Sequence, residues 1–163
     1  MRDFERKVSK KGKKDANTMG SYLALRAINP DVILSSCALR AQETTDLLAS
    51  KISFSGEIHY LQELYLTSLE EILDIVKIQD SDVESMFLVG HNPQLHELAN
   101  FLTDEYIHKF PSLGIISIVF EIEEWSEIES VLGTLNFFIF PKQFKYYMPR
   151  DVRSYLPLGK AQG

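Results

Sequence analysis

Cysteine occurs once in this 163-residue chain, at Cys37, so no internal disulfide can staple the fold. That usage agrees with a reducing compartment. No apolar run approaches the ~18 residues of a membrane-spanning helix, and the opening MRDFERKVSKKGKK holds no apolar region such as a secretory signal needs. The expectation is a cytoplasmic protein without a membrane partner. Gly12, Gly20 and Gly90 stand alone, so no glycine-rich loop is available to cradle a nucleotide. Overall positive charge is also missing. A net charge of -6 argues against a general nucleic-acid binder, whose phosphate contacts demand a basic surface.

What is present suits one ordered globule. Hydrophobic residues make up 45% and charged residues 25% of the sequence, and a chain of this length can bury roughly 70% of its unfolded surface. No repeat, low-complexity tract or linker divides it, so a single domain over residues 1–163 is expected. The charge is unevenly spread. Residues 1–14 hold seven cations (Arg2, Arg6, Lys7, Lys10, Lys11, Lys13, Lys14) against Asp3 and Glu5, a net +5 that leaves -11 for the remainder. A solvated helix face is one reading of this basic end; attraction of a phosphorylated partner is the other.

After Ser9, a plausible cap, Ala16, Met19, Leu23 and Ala27 recur at spacings of three and four and predict a helix with one apolar face. Asn29-Pro30 ends it, and Asp31 to Leu34 reads as a short buried strand. A helix over 39–50, a strand over 57–61 and a helix opened by Ser68 and Glu71 at capping-box spacing follow. Met86 to Val89 then leads into Gly90-His91-Asn92-Pro93 and a helix over 94–102. This alternation predicts an α/β sheet. Residues 115–122 and 134–140 are β-rich and separated by an acidic stretch with Trp125, which predicts an antiparallel pair at one side of the sheet. From Pro141 onward, aromatic residues mixed with Pro149, Arg150 and Pro157 read as a covering tail.

Two segments have the chemistry of an anion site. In FLVGHNPQL a strand stops at glycine and delivers His91 to the start of a helix, where backbone N–H groups favour anions. A histidine that only caps the turn fits the spacing equally well. In ILSSCALRAQETTDLL a strand ends at Ser35-Ser36 and Arg40 lies near the next helix start, able to give two parallel hydrogen bonds to phosphoryl oxygens. Its alternative is a surface salt bridge with Glu43 or Asp46.

Taken together, these segments resemble the histidine phosphatase superfamily, also called phosphoglycerate mutase-like, and its small SixA-type phosphohistidine phosphatases in particular. Five elements match in order: Arg6-Lys7-Val8-Ser9-Lys10-Lys11-Gly12 is similar to the early R-x-L-[ST]-x-x-G segment, and Ser35-Ser36-Cys37-Ala38-Leu39-Arg40-Ala41 to S-S-P-x-x-R-A. Glu63-Leu64-Tyr65 resembles E-L-Y, Val89-Gly90-His91-Asn92-Pro93 resembles V-G-H-N-P, and Ile139-Phe140-Pro141-Lys142 resembles the closing strand with its proline and basic residue. Cys37 replaces the family's usual proline. The resemblance implies a three-layer α/β sandwich with a mainly parallel mixed sheet flanked by helices. It also implies that Arg40 holds the phosphoryl group, that His91 hydrogen-bonds it, and that Glu63 handles a proton. Ser36, Asn92 and Arg6 are implied as further substrate contacts.

One departure is large. Family members begin with a strand ending in R-H-G or R-H-A, whose histidine attacks phosphorus, and no such motif occurs in this sequence. The expectation is therefore an N-terminally incomplete domain whose first strand is absent, with the gap closed up, filled by a borrowed segment or covered by a second copy. The remaining histidines do not replace the nucleophile: His59 falls in a predicted strand, His108 in a polar loop, and His96 on a helix where it packs or caps. Cys37 and Arg40 are separated by two residues, too few for the phosphate-wrapping loop of a cysteine phosphatase. The five-residue step from His91 to His96 turns the two side chains to different faces, so no metal is expected, and no cofactor. The function implied is a phosphohistidine phosphatase-like hydrolase working through a phosphohistidine intermediate, inactive or impaired for want of its nucleophile. A non-catalytic module that binds phosphate or phosphoprotein is the alternative. Either way the expected partner is a protein carrying phosphohistidine, or a small phosphate ester.

Overall fold

The computed structural model describes residues 2–147, apart from the side chains of 145–147. A 3-10 turn (Asp3–Glu5) precedes α1 (Lys10–Leu25), β1 (Val32–Ser36), α2 (Leu39–Lys51) and β2 (Glu57–Leu61). A second 3-10 turn (Gln62–Leu64) leads to α3 (Leu69–Lys77), β3 (Met86–Val89) and α4 (Gln94–Leu102). Strands β4 (Ile115–Val119) and β5 (Thr134–Ile139) flank a third 3-10 turn (Trp125–Glu127), and α5 (Pro141–Tyr147) follows.

Local chemistry accounts for these boundaries. The Ser9 hydroxyl accepts a hydrogen bond from the Gly12 amide at 3.0 Å, capping α1, and Ala16, Met19, Gly20 and Leu23 bury its apolar stripe. Ala27 does not join that stripe: its φ of 56° is left-handed, so it lies past the end of the helix. Ser68 caps α3 by accepting from the Glu71 amide at 3.2 Å, as its spacing predicted. The stretch after Pro141 forms a helix instead of a tail, because proline's fixed φ suits a first helical position and the Gln143 side chain accepts from the Phe140 amide at 3.0 Å. Pro149, Arg150 and Pro157 lie outside the described residues.

All five residues of β1 are buried, and it pairs in parallel with β2 on one side and β3 on the other. A strand covered on both faces and both edges needs an uninterrupted run such as Val-Ile-Leu, which this one has. Strands β4 and β5 pair antiparallel as expected, with an irregularity between Ser117 and Ile118. The α/β class with flanking helices agrees with the sequence reading, but the hydrogen-bonded ladder is interrupted. The order β2-β1-β3 forms one sheet, and β4-β5 forms a separate one. Among the described residues no strand precedes α1, and none pairs with the outer edge of β3.

Side chains bridge what the backbone does not. Phe87 of β3 shares a cluster with Ile115, Phe137 and Ile139, while Met86 and Leu88 share another with Ile118 and Phe120. Fully buried Met19, Leu23, Leu34, Leu64 and Ile72 anchor these clusters, each such burial being worth about 1.5–3 kcal/mol. The β4–β5 pair is also tied to α4, since the Gly133 amide donates to the Leu102 carbonyl at 2.7 Å.

Helices α1 and α2 approach so closely that a Cβ on Gly20 would stand 2.7 Å from Lys51 Cβ and 2.9 Å from Lys51 Cγ. Gly20→Ala gains about 1 kcal/mol of helix propensity but forces the helices apart, at a cost of roughly 1–3 kcal/mol. The expected outcome is a lower urea midpoint with an unchanged slope; a higher midpoint would show that the helices are free to separate.

Candidate functional site

Parallel pairing places Ser35 opposite Val89, so β1 and β3 end level with each other. The chain beyond β1 runs through Ser36 into α2, whose second residue is Arg40; the chain beyond β3 turns at Gly90 to His91. These two exits meet. Arg40 Nη2 lies 3.4 Å from His91 Nδ1, and His91 Nε2 lies 2.8 Å from Ser36 Oγ. Because a guanidinium can only donate, Nδ1 facing it carries a lone pair, and the ring proton of neutral His91 belongs on Nε2, donated to Ser36. Ser36 Oγ also accepts from the Ala38 amide at 3.2 Å, which fixes the loop leading into α2. Beneath it, Thr45 of α2 donates to Ser35 Oγ at 2.9 Å, joining helix and strand in a fully buried contact.

The N-terminal 3-10 turn closes the other side of Arg40. Arg40 Nη1 donates to the Asp3 carbonyl at 2.8 Å and Nη2 to Asp3 Oδ2 at 3.2 Å. Tyr65 Oη donates to the same carboxylate oxygen at 2.8 Å, and its ring stands edge-on to both His91 and Phe4. The Tyr65 hydrogen bond is the main cause holding the Asp3 carboxyl below its ordinary range, with the Arg40 charge adding to it. The same bond pushes the Tyr65 hydroxyl up. Burial, followed by the Arg40 charge, pushes His91 down, and Asp3 partly opposes this. The pair therefore meets a ligand as guanidinium and neutral imidazole, with a carboxylate already seated on the guanidinium.

Of the residues singled out from the sequence, the structure unites Arg40, His91 and Ser36. Asn92 points away: its amide donates to the Phe110 carbonyl at 2.9 Å and staples the loop after β3 to a neighbouring loop. Glu63 is exposed on the second 3-10 turn and makes no hydrogen bond or ion pair with Arg40 or His91 among the described residues; the turn instead sends Tyr65 into the site. Arg6 is exposed too, and reaches Asp3 only through charge and through its own backbone amide, which donates to the Asp3 carbonyl. Cys37 contacts Gln62 across the loop at 3.1 Å. His96 Nε2 donates to the Ile107 carbonyl at 2.5 Å, while His59 lies against the Glu57 carboxylate and His108 stands edge-on to Tyr106. Among the described residues no three His, Cys, Asp or Glu side chains gather as a metal site, and no helix is long and apolar enough to cross a membrane. Asp3 and Tyr65 are the participants that motif spacing did not assign. Asp3 counts in the sequence only as one acidic residue among cations, and its role arises from a 62-residue separation closed by the fold.

The fold is that of the small SixA phosphohistidine phosphatases, a phosphoglycerate mutase-like arrangement. The particular likenesses are to solved SixA structures. The SixA protein of Agrobacterium tumefaciens, assigned as a phosphohistidine phosphatase, superposes with a TM-score of 0.74 at 27% identity, covering 85% of this chain and 86% of that one. A SixA protein of Nakamurella multipartitia, assigned likewise, gives 0.76 at 20% identity, over 86% of this chain and 88% of the other. The protein histidine phosphatase SixA complexed with tungstate gives 0.76 at 20% identity, over 88% and 89%. By sequence, the chain is similar to uncharacterised proteins of Mycobacterium leprae, at 23% identity over 86% of the chain and 89% of the relative, and of Mycobacterium tuberculosis, at 24% over 86% and 92%. A chloroplastic protein of Arabidopsis thaliana is 27% identical over 63% of the chain, which spans 51% of that relative. No protein-family model matches the sequence.

The charges around His91 make two opposite tests. Arg40→Ala removes a cation and is expected to raise the His91 pKa, whereas Asp3→Asn removes an anion and is expected to lower it further, both read by NMR titration of the imidazole. A folded-state pKa below the unfolded value of ~6.5 means that the unfolded chain binds more protons in acid. The stability held by neutral His91 is present above the unfolded pKa and is lost as pH falls through the folded one. Urea denaturation of wild type against His91→Gln, followed from neutral pH downward, is expected to show the wild type losing more stability than the variant.

Proposed function

We propose that this chain acts on phosphoryl groups in the manner of a phosphohistidine phosphatase, with Arg40 and His91 as the clamp on the tetrahedral oxyanion. The observation that carries the reading is their 3.4 Å approach at the ends of two adjacent parallel strands. A phosphoryl group in transfer spreads charge over three oxygens, so fixed positive charge and positioned donors supply most of the stabilisation. Arg40 offers both, and a bidentate guanidinium suits that geometry. His91 becomes a donor toward the anion when Nδ1 gains a proton, a change that a bound dianion favours by its own charge. The solved complex of a fold relative with tungstate, itself a tetrahedral oxyanion, supports the same class of ligand.

The Asp3 carboxylate occupies Arg40 donors that an oxyanion would use. Binding a phosphoryl group thus means displacing or sharing that carboxylate, and Asp3 weakens the affinity for free anions. Hydrolysis through a covalent intermediate further calls for a nucleophile. Among the described residues, His59, His96 and His108 are engaged away from the pair. That observation favours a second reading, in which the chain binds phosphoryl groups without turning them over.

Calorimetric titration with inorganic phosphate and with tungstate tests the clamp. Arg40→Ala is expected to weaken both by at least tenfold, the equivalent of about 1.5–3 kcal/mol for hydrogen bonds to a charged group, and Asp3→Asn to tighten them several-fold. Unchanged affinity in Arg40→Ala and His91→Gln alike would overturn the reading. Phosphate release from phosphoramidate, lost in Arg40→Ala, marks a hydrolase; binding without release marks the second reading.

A further inference from the structure

The basic end of the chain lies at the rim of this site. Arg6, Lys7, Lys10, Lys11, Lys13 and Lys14 are all exposed, and of these only Lys11 forms an ion pair among the described residues, with Asp15 at 2.7 Å. The first turn of α1 contains no acidic residue. A helix N-terminus already carries about half a positive charge, so lysines gathered there work against the stability of their own helix. Two contacts locate them. The Val8 amide donates to Glu43 in the first turns of α2 at 2.8 Å, and Gly20 packs on Lys51 at the far end. The two helices therefore run the same way, and the lysine-bearing start of α1 sits beside the start of α2, which carries Arg40. Asp3, just ahead in the chain, rests on that arginine.

We propose that this rim is a docking surface for an acidic face of a protein partner, which brings a phosphoryl group on that partner to Arg40 and His91. The inference rests on the clamp reading and adds where the rest of the substrate sits. Unpaired lysines around a one-anion site attract a partner with acidic side chains beyond the phosphoryl group, which a small ester lacks. Two other polyanions fit less well. Across the exposed face the lysines have no large apolar side chain between them, since Val8 is half-buried and Ala16 and Met19 are buried, so nothing is available to insert into a membrane. A nucleic acid or lipid surface also extends well past the patch and would meet the -11 carried by the rest of the chain, whereas a protein face can match the patch in size.

The test compares two fluorescent peptides carrying the same phosphonate mimic of phosphohistidine, one flanked by aspartates and glutamates, the other by serines and asparagines. Wild type is expected to bind the acidic peptide on the order of tenfold more tightly at low salt. The margin should shrink severalfold at ~0.3 M salt, where screening acts within about 6 Å. Lys10→Glu/Lys13→Glu/Lys14→Glu should abolish it while inorganic phosphate still binds as in wild type, and the matching triple arginine variant should retain it. The proposal is overturned if wild type shows no margin, if charge reversal leaves the margin intact, or if anionic vesicles, single-stranded RNA or a second copy of the chain bind this patch more tightly than the acidic peptide. Loss of phosphate binding only on Arg40→Ala keeps the clamp standing apart from this outcome, so the two readings fail separately.

Discussion

Because β1 and β3 pair in parallel with Ser35 opposite Val89, the segments that leave them emerge side by side at one level of the molecule. The pairing is secured by a strand with no exposed residue and by the Thr45–Ser35 hydroxyl contact, which anchors α2 from below. Both are buried, so water does not compete with them. The outer contacts of the site, through Asp3 and Tyr65, are exposed and correspondingly weak individually. The site thus has a rigid floor made from strand ends and a lighter cover made from the N-terminal turn.

Charge is arranged in the same graded way. Arg40 is the one permanent cation in contact with His91 among the described residues, and it both suppresses the charge on the imidazole and takes up the Asp3 carboxylate. Tyr65 completes the ring by donating to Asp3 and lying edge-on to His91. Each of the four side chains touches two of the others or their immediate neighbours, so substituting any one alters the electrostatic setting of the rest. Effects of paired substitutions are not expected to add.

The elements most legible in the sequence were those with a local physical signal. Ser9 and Ser68 announced helix starts through hydroxyl caps, and Val32-Ile33-Leu34 announced a strand covered on both faces. His91 and Arg40 were visible because each follows an apolar strand at a helix start, although the sequence could not say that the two strands are neighbours. Asn92 and Glu63 read as site residues by resemblance, yet one amide is taken by the Phe110 carbonyl and the other side chain stays in solvent. Asp3 and Tyr65 were hidden because a contact between residues 62 apart leaves no periodicity. The break between the two sheets was also out of reach of pattern reading, since β3 and β4 each look like ordinary sheet members when read singly.

Ser36 is fully buried and its oxygen already receives two hydrogens, one from the Ala38 amide and one from the imidazole. With both lone pairs engaged, its own hydrogen is the only part free to turn. For His91 to present an N–H at Nδ1 while remaining neutral, its other nitrogen must give up its proton and become an acceptor, and the serine hydroxyl must then rotate to donate a hydrogen bond to it while keeping its own hydrogen. The tautomer of the ring and the orientation of the serine hydroxyl are consequently coupled: neither changes while the other stays as it is.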